Sequence, residues 1–513
     1  MLNSTQKVDV IVNEKIGTIS PYLHGQFAEH LGELIYPGIW VGEDSKIPNL
    51  GGIRKDIVAA LQPLHLPVTR WPGGCFADGY HWRNGIGERA RRPLRINYYW
   101  GMAPEPNTFG THEFMAFCRA IGTEPYFTGN AGSGSPQEIG DWVEYCNFVG
   151  DSSLSQERRE NGSAEPFDVK FWAVGNENWG CGGRMDPESY AATYTRMRTS
   201  MFDYSGTAVH GIACGASGND WVWTRKVMDY FKNKHWNHLG TVQSLAAHFY
   251  CGTAGTATEY TSAQWLELLA RSAAIEGIIT GHRAIMDEFD PQRNVNLIVD
   301  EWGTWHPVES GKPGSGLYQQ NTMRDACVAA LTLDIFNNHA DKIYMANIAQ
   351  LINVLQALLL VQEDRCIKTP TYLIYDLYQP HKDAQAVRLV SHADVISDGG
   401  ASAEFCRDQF IDRSLVALQA AQGSASVKNG VLCITVVNTH PEQALDLEIA
   451  LTGGMLGDVE IVRLVNNDIH AHNTFANPDA VTLSEPQTSH VDGSTMHVQL
   501  PAASVTRIIG KLS

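Results

Sequence analysis

Two glutamates that each follow a short apolar run are the residues of this 513-residue sequence best suited to chemistry. Glu177 follows the run at 171–175, and Glu301 follows the run at 296–300. Two carboxylates across one pocket can protonate a leaving oxygen and attack or activate water, which is the chemistry of glycoside hydrolysis. Each could instead be a solvated loop residue, since Asn13-Glu14 repeats the Asn-Glu pair without such a context.

Three further polar residues stand near the ends of apolar runs and could assist such a pair. Asn176 could hydrogen-bond a sugar 2-hydroxyl, or it could form an ordinary Asx turn. Arg70 could keep a carboxylate such as Glu301 ionised, or it could belong to a structural ion pair. Tyr250 could orient a nucleophilic carboxylate, or it could be a tyrosine of the pocket rim.

Four tryptophans lie close to the same run ends. They are Trp71, Trp179, Trp302 and Trp305. A flat indole ring stacks on the apolar face of a sugar, although a tryptophan is ordinarily a core residue. Four of them beside one pocket favour a sugar-stacking rim, and we expect Trp179 and Trp302 to bind substrate.

The histidines and glycines give no comparable signal for a metal or a cofactor. His24, His30 and His248 have no i, i+4 spacing, and the sequence contains no H-E-x-x-H pattern, which favours satisfied polar histidines over ligands. The glycine-rich segment 129–134 lacks the Lys-Ser/Thr of a phosphate-binding loop. The sequence therefore predicts no catalytic metal and no cofactor.

A repeating strand-helix pattern is what would bring these scattered residues together. Eight short apolar runs lie at 22–28, 67–71, 124–128, 171–175, 209–214, 245–250, 296–300 and 342–348. Between them, apolar residues recur at helical spacing, as in 111–121, 136–148, 187–201 and 319–337. Eight such units predict an α/β fold with a (β/α)8 TIM barrel, which carries its chemistry at the C-terminal ends of its strands.

The last part of the chain has a different period. Past residue 376, apolar and polar residues alternate, as in 445–449 and 496–500, and turn signals separate these runs. This pattern predicts a C-terminal antiparallel, jelly-roll-like β-sandwich. The predicted domains are an N-terminal strand segment (1–20) that pairs with the sandwich, a catalytic barrel (21–375) and the sandwich (376–513).

The composition limits the partners and the compartment. Lys and Arg total 38 against 56 Asp and Glu, a formal charge of −18 that repels phosphate backbones and anionic lipid. No apolar run reaches the ~18 residues that span a bilayer, and the first twenty residues do not resemble a signal peptide. We therefore expect no nucleic acid or membrane partner, a cytoplasmic location, and ten cysteines that are reduced, mostly buried thiols.

Six segments, in order along the chain, resemble glycoside hydrolase family 51, the α-L-arabinofuranosidases. They are 25–32 (GQFAEHLG), 70–74 (RWPGG), 100–110 (WGMAPEPNTFG), 175–177 (GNE), 300–302 (DEW) and 346–353 (ANIAQLIN). The resemblance implies a retaining, exo-acting enzyme in which Glu177 is the acid/base and Glu301 is the nucleophile. It also implies a homo-oligomer, a hexamer built as a trimer of dimers. The lack of a signal-peptide pattern favours short arabino-oligosaccharides over intact polymer as substrates.

The resemblance also implies a set of residues that bind the arabinose or the nucleophile. These are Glu29, Arg70, Cys75, Asn176, Tyr250 and Gln350. The segments 179–183 and 304–306 depart from the commonest form of the family, which leaves the leaving-group preference open. The alternatives are a β-xylosidase or endo-glucanase on the same fold, and a non-catalytic carbohydrate-binding barrel, which we would expect to lack one of the two glutamates.

Overall fold

Eight parallel strands close into a barrel in the order in which they follow along the chain. The computed structural model describes residues 5–234, 237–397 and 417–513, so residues 1–4 and 398–416 of the predicted terminal domains lie outside the described residues. The barrel strands are Gly25–Phe27, Val68–Trp71, Glu124–Gly129, Phe171–Val174, His210–Ser217, Ser244–Tyr250, Asn296–Gly303 and Ile343–Ile348. Each falls on one of the eight predicted runs, and the predicted fold class is confirmed.

Helices connect the strands and cover the barrel. They are Lys55–Leu61, Thr111–Ile121, Pro136–Asn147, Ser153–Glu160, Pro187–Arg198, Trp221–Asn233, Ser262–Ala273, Ile275–Phe289, Met323–Asn338 and Pro370–Leu377. The helix predicted at 319–337 begins later because the Thr322 hydroxyl accepts a hydrogen bond from the Arg324 amide and caps the first turn. None of the described helices is long and apolar enough to cross a membrane.

The barrel holds one apolar layer inside its strands and a larger one outside them. Val68, Tyr126, Ile298 and Met345 belong to the inner cluster. Val299 and Trp302 pack with residues of the covering helices in the outer cluster. Both layers lie below the C-terminal strand ends, so they support the polar groups at the mouth.

The second domain is a nine-stranded sheet that encloses its own core. Its strands are Gln6–Thr18, Gln385–Ser391, Ala421–Lys428, Val431–Asn438, Leu445–Thr452, Leu456–Leu464, Gln487–Gly493, Thr495–Leu500 and Ser504–Leu512. Val459 and Met496, near opposite ends of the strand order, share one core cluster with Val8, so the sheet folds over on itself.

One strand pair of this sheet is not antiparallel. The N-terminal strand lies between Gln385–Ser391, with which it is antiparallel, and Leu445–Thr452, with which it is parallel. The strands after residue 384 pair antiparallel with one another, as predicted, and the single parallel pair comes from the N-terminal strand, whose orientation the sequence did not predict. Alternation reports which face of a strand is buried, but it does not report which neighbour the strand has.

Candidate active site

Glu177 and Glu301 lie close together at the C-terminal mouth of the barrel, with His248 between them. His248 Nδ1 is 3.0 Å from Glu177 Oε1 and 3.5 Å from Glu301 Oε2. One atom of each of the three side chains lies within 4.8 Å of the other two. The structure thus brings together the two carboxylates that the sequence singles out, Glu177 in the segment after strand four and Glu301 on strand seven of the ring.

A β-bulge in the seventh barrel strand aims Glu301 into the barrel. Ala247 pairs with Val299, but the next residue, His248, pairs with Glu301, so Asp300 is an extra residue. Asp300 and Glu301 consequently both point inward, toward Arg70. Asp300 Oδ2 lies 3.4 Å from Arg70 Nε, and Glu301 Oε1 lies 2.8 Å from Arg70 Nη1. Without the bulge, strict alternation would turn Glu301 toward the helices.

Positive charge and hydrogen bonds keep the buried Glu301 carboxylate ionised. Burial by itself would raise its pKa, but the charges of His248 and Arg70 outweigh burial and lower it. Arg70 Nη1 donates a 2.8 Å hydrogen bond to Oε1, and the Tyr250 hydroxyl donates a 2.9 Å bond to Oε2. An ionised carboxylate with its lone pairs fixed in this way can act as a nucleophile.

Glu177 has a more open environment and a left-handed backbone. Its side chain is 20% exposed, against 6% for Glu301. Its φ is +43°, a conformation that a non-glycine residue rarely adopts, and Gly175 just before it has φ +77°. The buried Asp78 carboxylate accepts the Asn176 amide at 2.7 Å and holds this turn. An acid that exchanges protons with water fits this more exposed position better than the Glu301 position does.

His248 interacts with both carboxylates and is itself buried. Burial by itself would lower its pKa, but the charges of Glu301 and Glu177 and the hydrogen bond to Glu177 raise it. A cationic imidazole between the two glutamates offsets part of their mutual repulsion. The sequence suggested His248 only as a satisfied polar residue, because the partner carboxylates come from distant segments.

Glu29 and Gln350 form a second polar group at the mouth. Gln350 Nε2 donates a hydrogen bond to Glu29 Oε2 at 3.1 Å. Glu29 Oε1 accepts hydrogen bonds from the Phe76 amide at 2.9 Å and from Trp100 Nε1 at 2.8 Å. Burial raises the pKa of Glu29 to about 7, although these bonds act in the opposite direction. A Cβ at Gly74 would lie 2.3 Å from Glu29 Oε2, so a larger residue there would displace this carboxylate.

Cys75 is bonded to Cys181 in a disulfide, which corrects the prediction of ten reduced thiols. The bond joins the segment after the second barrel strand to the segment after Glu177, across 106 residues of sequence. The sequence spacing of the two cysteines does not predict this disulfide, because only the closure of the barrel brings the two segments together. Within the described part of the chain, seven other cysteines are free: Cys118, Cys146, Cys214, Cys251, Cys327, Cys366 and Cys433.

Only two of the four tryptophans reach the mouth. Trp71 and Trp302 are core residues, 0% and 1% exposed, and Trp302 packs edge-on against Phe336 on the covering helix. The same bulge that turns Glu301 inward turns Trp302 outward, so the prediction that it binds substrate is wrong. Trp305 is 39% exposed and packs against Tyr250, and Trp179 donates its Nε1 to the Gly215 carbonyl at 3.1 Å.

Sequence reasoning also missed the supporting roles of three residues, Asp300, Asp78 and Trp100, the last of which donates its Nε1 to Glu29. Asp300 accepts hydrogen bonds from Tyr126 and Asn347 beneath the nucleophile. Burial raises the pKa of Asp78 to about 7. The available signals were position alone: Trp100 begins one of the six resembling segments, and Asp78 stands three residues after Cys75. None of the three belongs to a motif with a fixed chemical meaning.

The described residues of the site include two clusters that could hold a metal ion, but two of the possible ligands, Cys75 and Cys181, are bonded to each other. Glu177, His248 and Glu301 offer one such cluster, and Cys75, Glu177 and Cys181 offer another. The two sulfurs of the second cluster are joined to each other and are not thiolates. That no metal takes part in the chemistry stays a prediction.

Comparisons with known proteins agree with this geometry. A family model described as the α-L-arabinofuranosidase 1 domain matches residues 60–262, and one described as the α-L-arabinofuranosidase C-terminal domain matches residues 300–504. The chain is 39% identical to an intracellular exo-α-L-arabinofuranosidase of Bacteroides ovatus, over 95% of this chain and 92% of the relative.

Solved structures are similar over the full length. A family 51 arabinofuranosidase from Xanthomonas axonopodis pv. citri superposes with a TM-score of 0.92 at 39% identity, covering 100% of both chains. An α-L-arabinofuranosidase from Thermotoga maritima, solved as an arabinose complex, superposes with a TM-score of 0.85 at 28% identity, covering 99% of this chain and 100% of that one.

Proposed function

The chain belongs to the α-L-arabinofuranosidases of glycoside hydrolase family 51, and on that premise we propose that it is a retaining exo-enzyme that releases terminal non-reducing L-arabinofuranose from arabino-oligosaccharides. The observation that carries the proposal is the pair of carboxylates at one mouth, Glu177 after the fourth strand and Glu301 on the seventh. The Bacteroides relative is itself named an exo-enzyme, which supports the exo assignment.

In the first step, Glu301 attacks the anomeric carbon as the glycosidic bond breaks. The protonated Glu177 donates its proton to the departing oxygen, and a covalent arabinofuranosyl-enzyme forms. Arg70 and Tyr250 hold the attacking carboxylate in place through their hydrogen bonds to Oε1 and Oε2. Their contacts also keep it deprotonated before the attack.

In the second step, water replaces the sugar on Glu301. The ionised Glu177 takes a proton from this water, which attacks the anomeric carbon and releases L-arabinose with retained configuration. His248, 3.0 Å from Glu177, can stabilise the carboxylate in this ionised state. Glu177 therefore changes charge twice in each cycle.

The separation of the carboxylates supports retention. Oxygens of Glu177 and Glu301 lie within 4.8 Å of each other. Retaining enzymes place the two carboxyl groups roughly 5 to 5.5 Å apart, whereas inverting enzymes leave roughly 6.5 to 9.5 Å for a water. NMR of the first anomer released from a nitrophenyl α-L-arabinofuranoside tests this, and an inverted product would contradict the mechanism.

The remaining side chains at the mouth are assigned to substrate binding. Glu29, Arg70, Asn176, Tyr250 and Gln350 bind the furanose hydroxyls or fix the nucleophile. Cys75 contributes as one half of a disulfide and not as a thiol donor. Trp179 and Trp305 form the rim that the leaving group contacts.

Substrate choice separates this proposal from its alternatives. Comparing kcat/KM on nitrophenyl α-L-arabinofuranoside and nitrophenyl β-D-xyloside distinguishes an arabinofuranosidase from a β-xylosidase. A panel of defined arabino-oligosaccharides distinguishes exo from endo cleavage, since an exo-enzyme releases only the monosaccharide at early times. Internal cleavage of the longer oligosaccharides would contradict the exo assignment.

Assembly and location are part of the proposal. We assign a hexamer, a trimer of dimers, on the family resemblance, and analytical ultracentrifugation should give a mass near six times 56.5 kDa. We assign a cytoplasmic location, which the intracellular Bacteroides relative supports. Activity in the cytosolic fraction of intact source cells checks this assignment.

A further inference from the structure

We propose that the Cys75–Cys181 disulfide positions the Glu177 carboxyl group and that its reduction selectively slows the steps in which Glu177 transfers a proton. The inference rests on the proposed function, because it assigns a positioning role beside the proposed acid/base. It makes activity on poor leaving groups dependent on the redox state of one cysteine pair.

The disulfide lies against the face of Glu177 that no other described side chain fixes. His248 Nδ1 is hydrogen-bonded to Oε1 at 3.0 Å. Cys181 Sγ lies 3.8 Å from Oε2. A disulfide sulfur has no proton to donate, so this is a packing contact. Among the described residues, no side chain other than His248 is hydrogen-bonded to this carboxylate, and the sulfur limits the movement of its second oxygen.

The disulfide adds a second anchor to the backbone that carries Glu177, beside the hydrogen bond from the Asn176 amide to Asp78. A non-glycine residue at φ +43° is held there by its surroundings, because the conformation costs energy in a free chain. The segment that follows turns sharply, with the Gly180 and Gly182 amides donating to the Glu177 carbonyl at 2.7 and 3.2 Å. The disulfide ties Cys181, in the middle of this turn, to another strand end.

The other end of the tether belongs to a short helical turn, Cys75–Gly79, that contacts both halves of the mouth. The Phe76 amide donates to Glu29 at 2.9 Å, and Asp78 accepts the Asn176 amide at 2.7 Å. The Cys75–Gly79 turn is therefore held in place independently of the disulfide, so the disulfide can restrict the movement of Cys181. The nucleophile depends on neither cysteine, because Arg70 and Tyr250 hold Glu301.

Reduction is chemically accessible at this site. Both cysteines are only partly buried, so a small reductant can reach the bond. A dithiol supplies two electrons and two protons: its thiolate attacks one sulfur, its second thiol displaces the mixed disulfide, and the enzyme is left with two thiols. A reducing cytosol contains such dithiols.

The test compares two leaving groups in the two redox states of the wild-type enzyme. Dinitrophenyl α-L-arabinofuranoside needs no acid for bond cleavage, whereas an arabinobiose does. Reduction by dithiothreitol, verified by alkylation and mass spectrometry, should lower kcat/KM on the disaccharide about 10- to 100-fold more than on the dinitrophenyl substrate. Reoxidation should restore the original ratio.

Variants separate positioning from general damage. Cys75→Ser and Cys181→Ser should reproduce the reduced enzyme without reductant, and dithiothreitol should not change them further. Cys366→Ser, at a partly buried free cysteine, is the matched control and should behave as wild type in both states.

The outcomes are distinct. Equal losses on both substrates, or an unchanged ratio in enzyme whose disulfide is fully reduced, would overturn the positioning role. Should the oxidised wild type release no arabinose from either substrate, the proposed function itself would fail.

Discussion

Two buried carboxylates in this molecule, Glu301 at the barrel mouth and Asp334 at the junction with the nine-stranded sheet, lie in opposite electrostatic environments. Glu301 faces Arg70 and His248, and their charges outweigh burial and lower its pKa. Among the described residues, Asp334 accepts hydrogen bonds only from neutral hydroxyl groups, Ser424 and Thr435 at Oδ1 and Tyr378 at Oδ2, and burial raises its pKa to about 7.

The difference shows what distinguishes a reactive carboxylate from a structural one. Hydrogen bonds from hydroxyl groups satisfy Asp334, and they connect the helix Met323–Asn338 to the sheet, but they do not supply the charge that would keep it ionised. At the mouth, cations supply that charge and Tyr250 aligns the oxygens. Burial alone therefore does not mark a catalytic group.

Removing the charge of Glu301 should have the largest effect. Glu301→Gln keeps the shape of the side chain but eliminates the nucleophile, so kcat should fall about 10⁴-fold or more with every leaving group. Steady-state kinetics on dinitrophenyl arabinoside and arabinobiose measures this, and circular dichroism confirms the fold. Substantial activity in this variant would place the nucleophile elsewhere.

Glu177→Ala should have the next largest effect, and a selective one. Loss of the general acid should lower kcat/KM on arabinobiose about 10²- to 10⁴-fold, with a much smaller loss on dinitrophenyl arabinoside. Added azide should restore turnover by attacking the glycosyl-enzyme without a base. Losses of the same size on both substrates would remove Glu177 from the acid role.

The tryptophans sharpen the comparison between core and mouth. Trp302→Ala should lower the free energy of unfolding by about 3 to 5 kcal/mol, because it leaves a cavity between strand and helix. Trp305→Ala should change stability by less than about 1 kcal/mol and should raise KM on oligosaccharides. Chemical denaturation and steady-state kinetics on both variants provide the measurement. A raised KM with unchanged stability for Trp302→Ala would mean that Trp302 contacts substrate.

Asp334→Asn should have the smallest effect on activity and leave kcat/KM near the wild-type value. The protonated Asp334 contributes stability that is full below its unfolded pKa of about 3.9 and is lost as the pH rises to about 7. The asparagine variant does not titrate there, so its stability relative to wild type should rise by about 1 to 4 kcal/mol between pH 4 and pH 8.

Melting temperatures of wild type and Asp334→Asn across that range provide the measurement. The comparison between the two proteins is needed because Glu29 and Asp78, whose pKa values are also raised to about 7, titrate in both. A difference that does not change with pH would mean that Asp334 is ionised in the fold.

Much of the barrel and the candidate catalytic pair could be predicted from the sequence because both depend on local pattern. Apolar runs separated by helical periodicity define the eight strands, and residues directly after a run lie at the mouth. Glu177 and Glu301 followed from that rule. Trp302 did not, because the rule assumes regular alternation and the bulge at Asp300 breaks it.

The sequence by itself determined the barrel, the second β-rich domain and the strand ends that carry the two glutamates. The tertiary structure alone decided that Cys75 bonds Cys181, that His248 lies between the two carboxylates, and that the N-terminal strand enters the sheet beside a parallel neighbour. Each of these depends on segments tens to hundreds of residues apart, and only closure of the barrel and the sheet sets their distances. Local periodicity contains no information about such contacts.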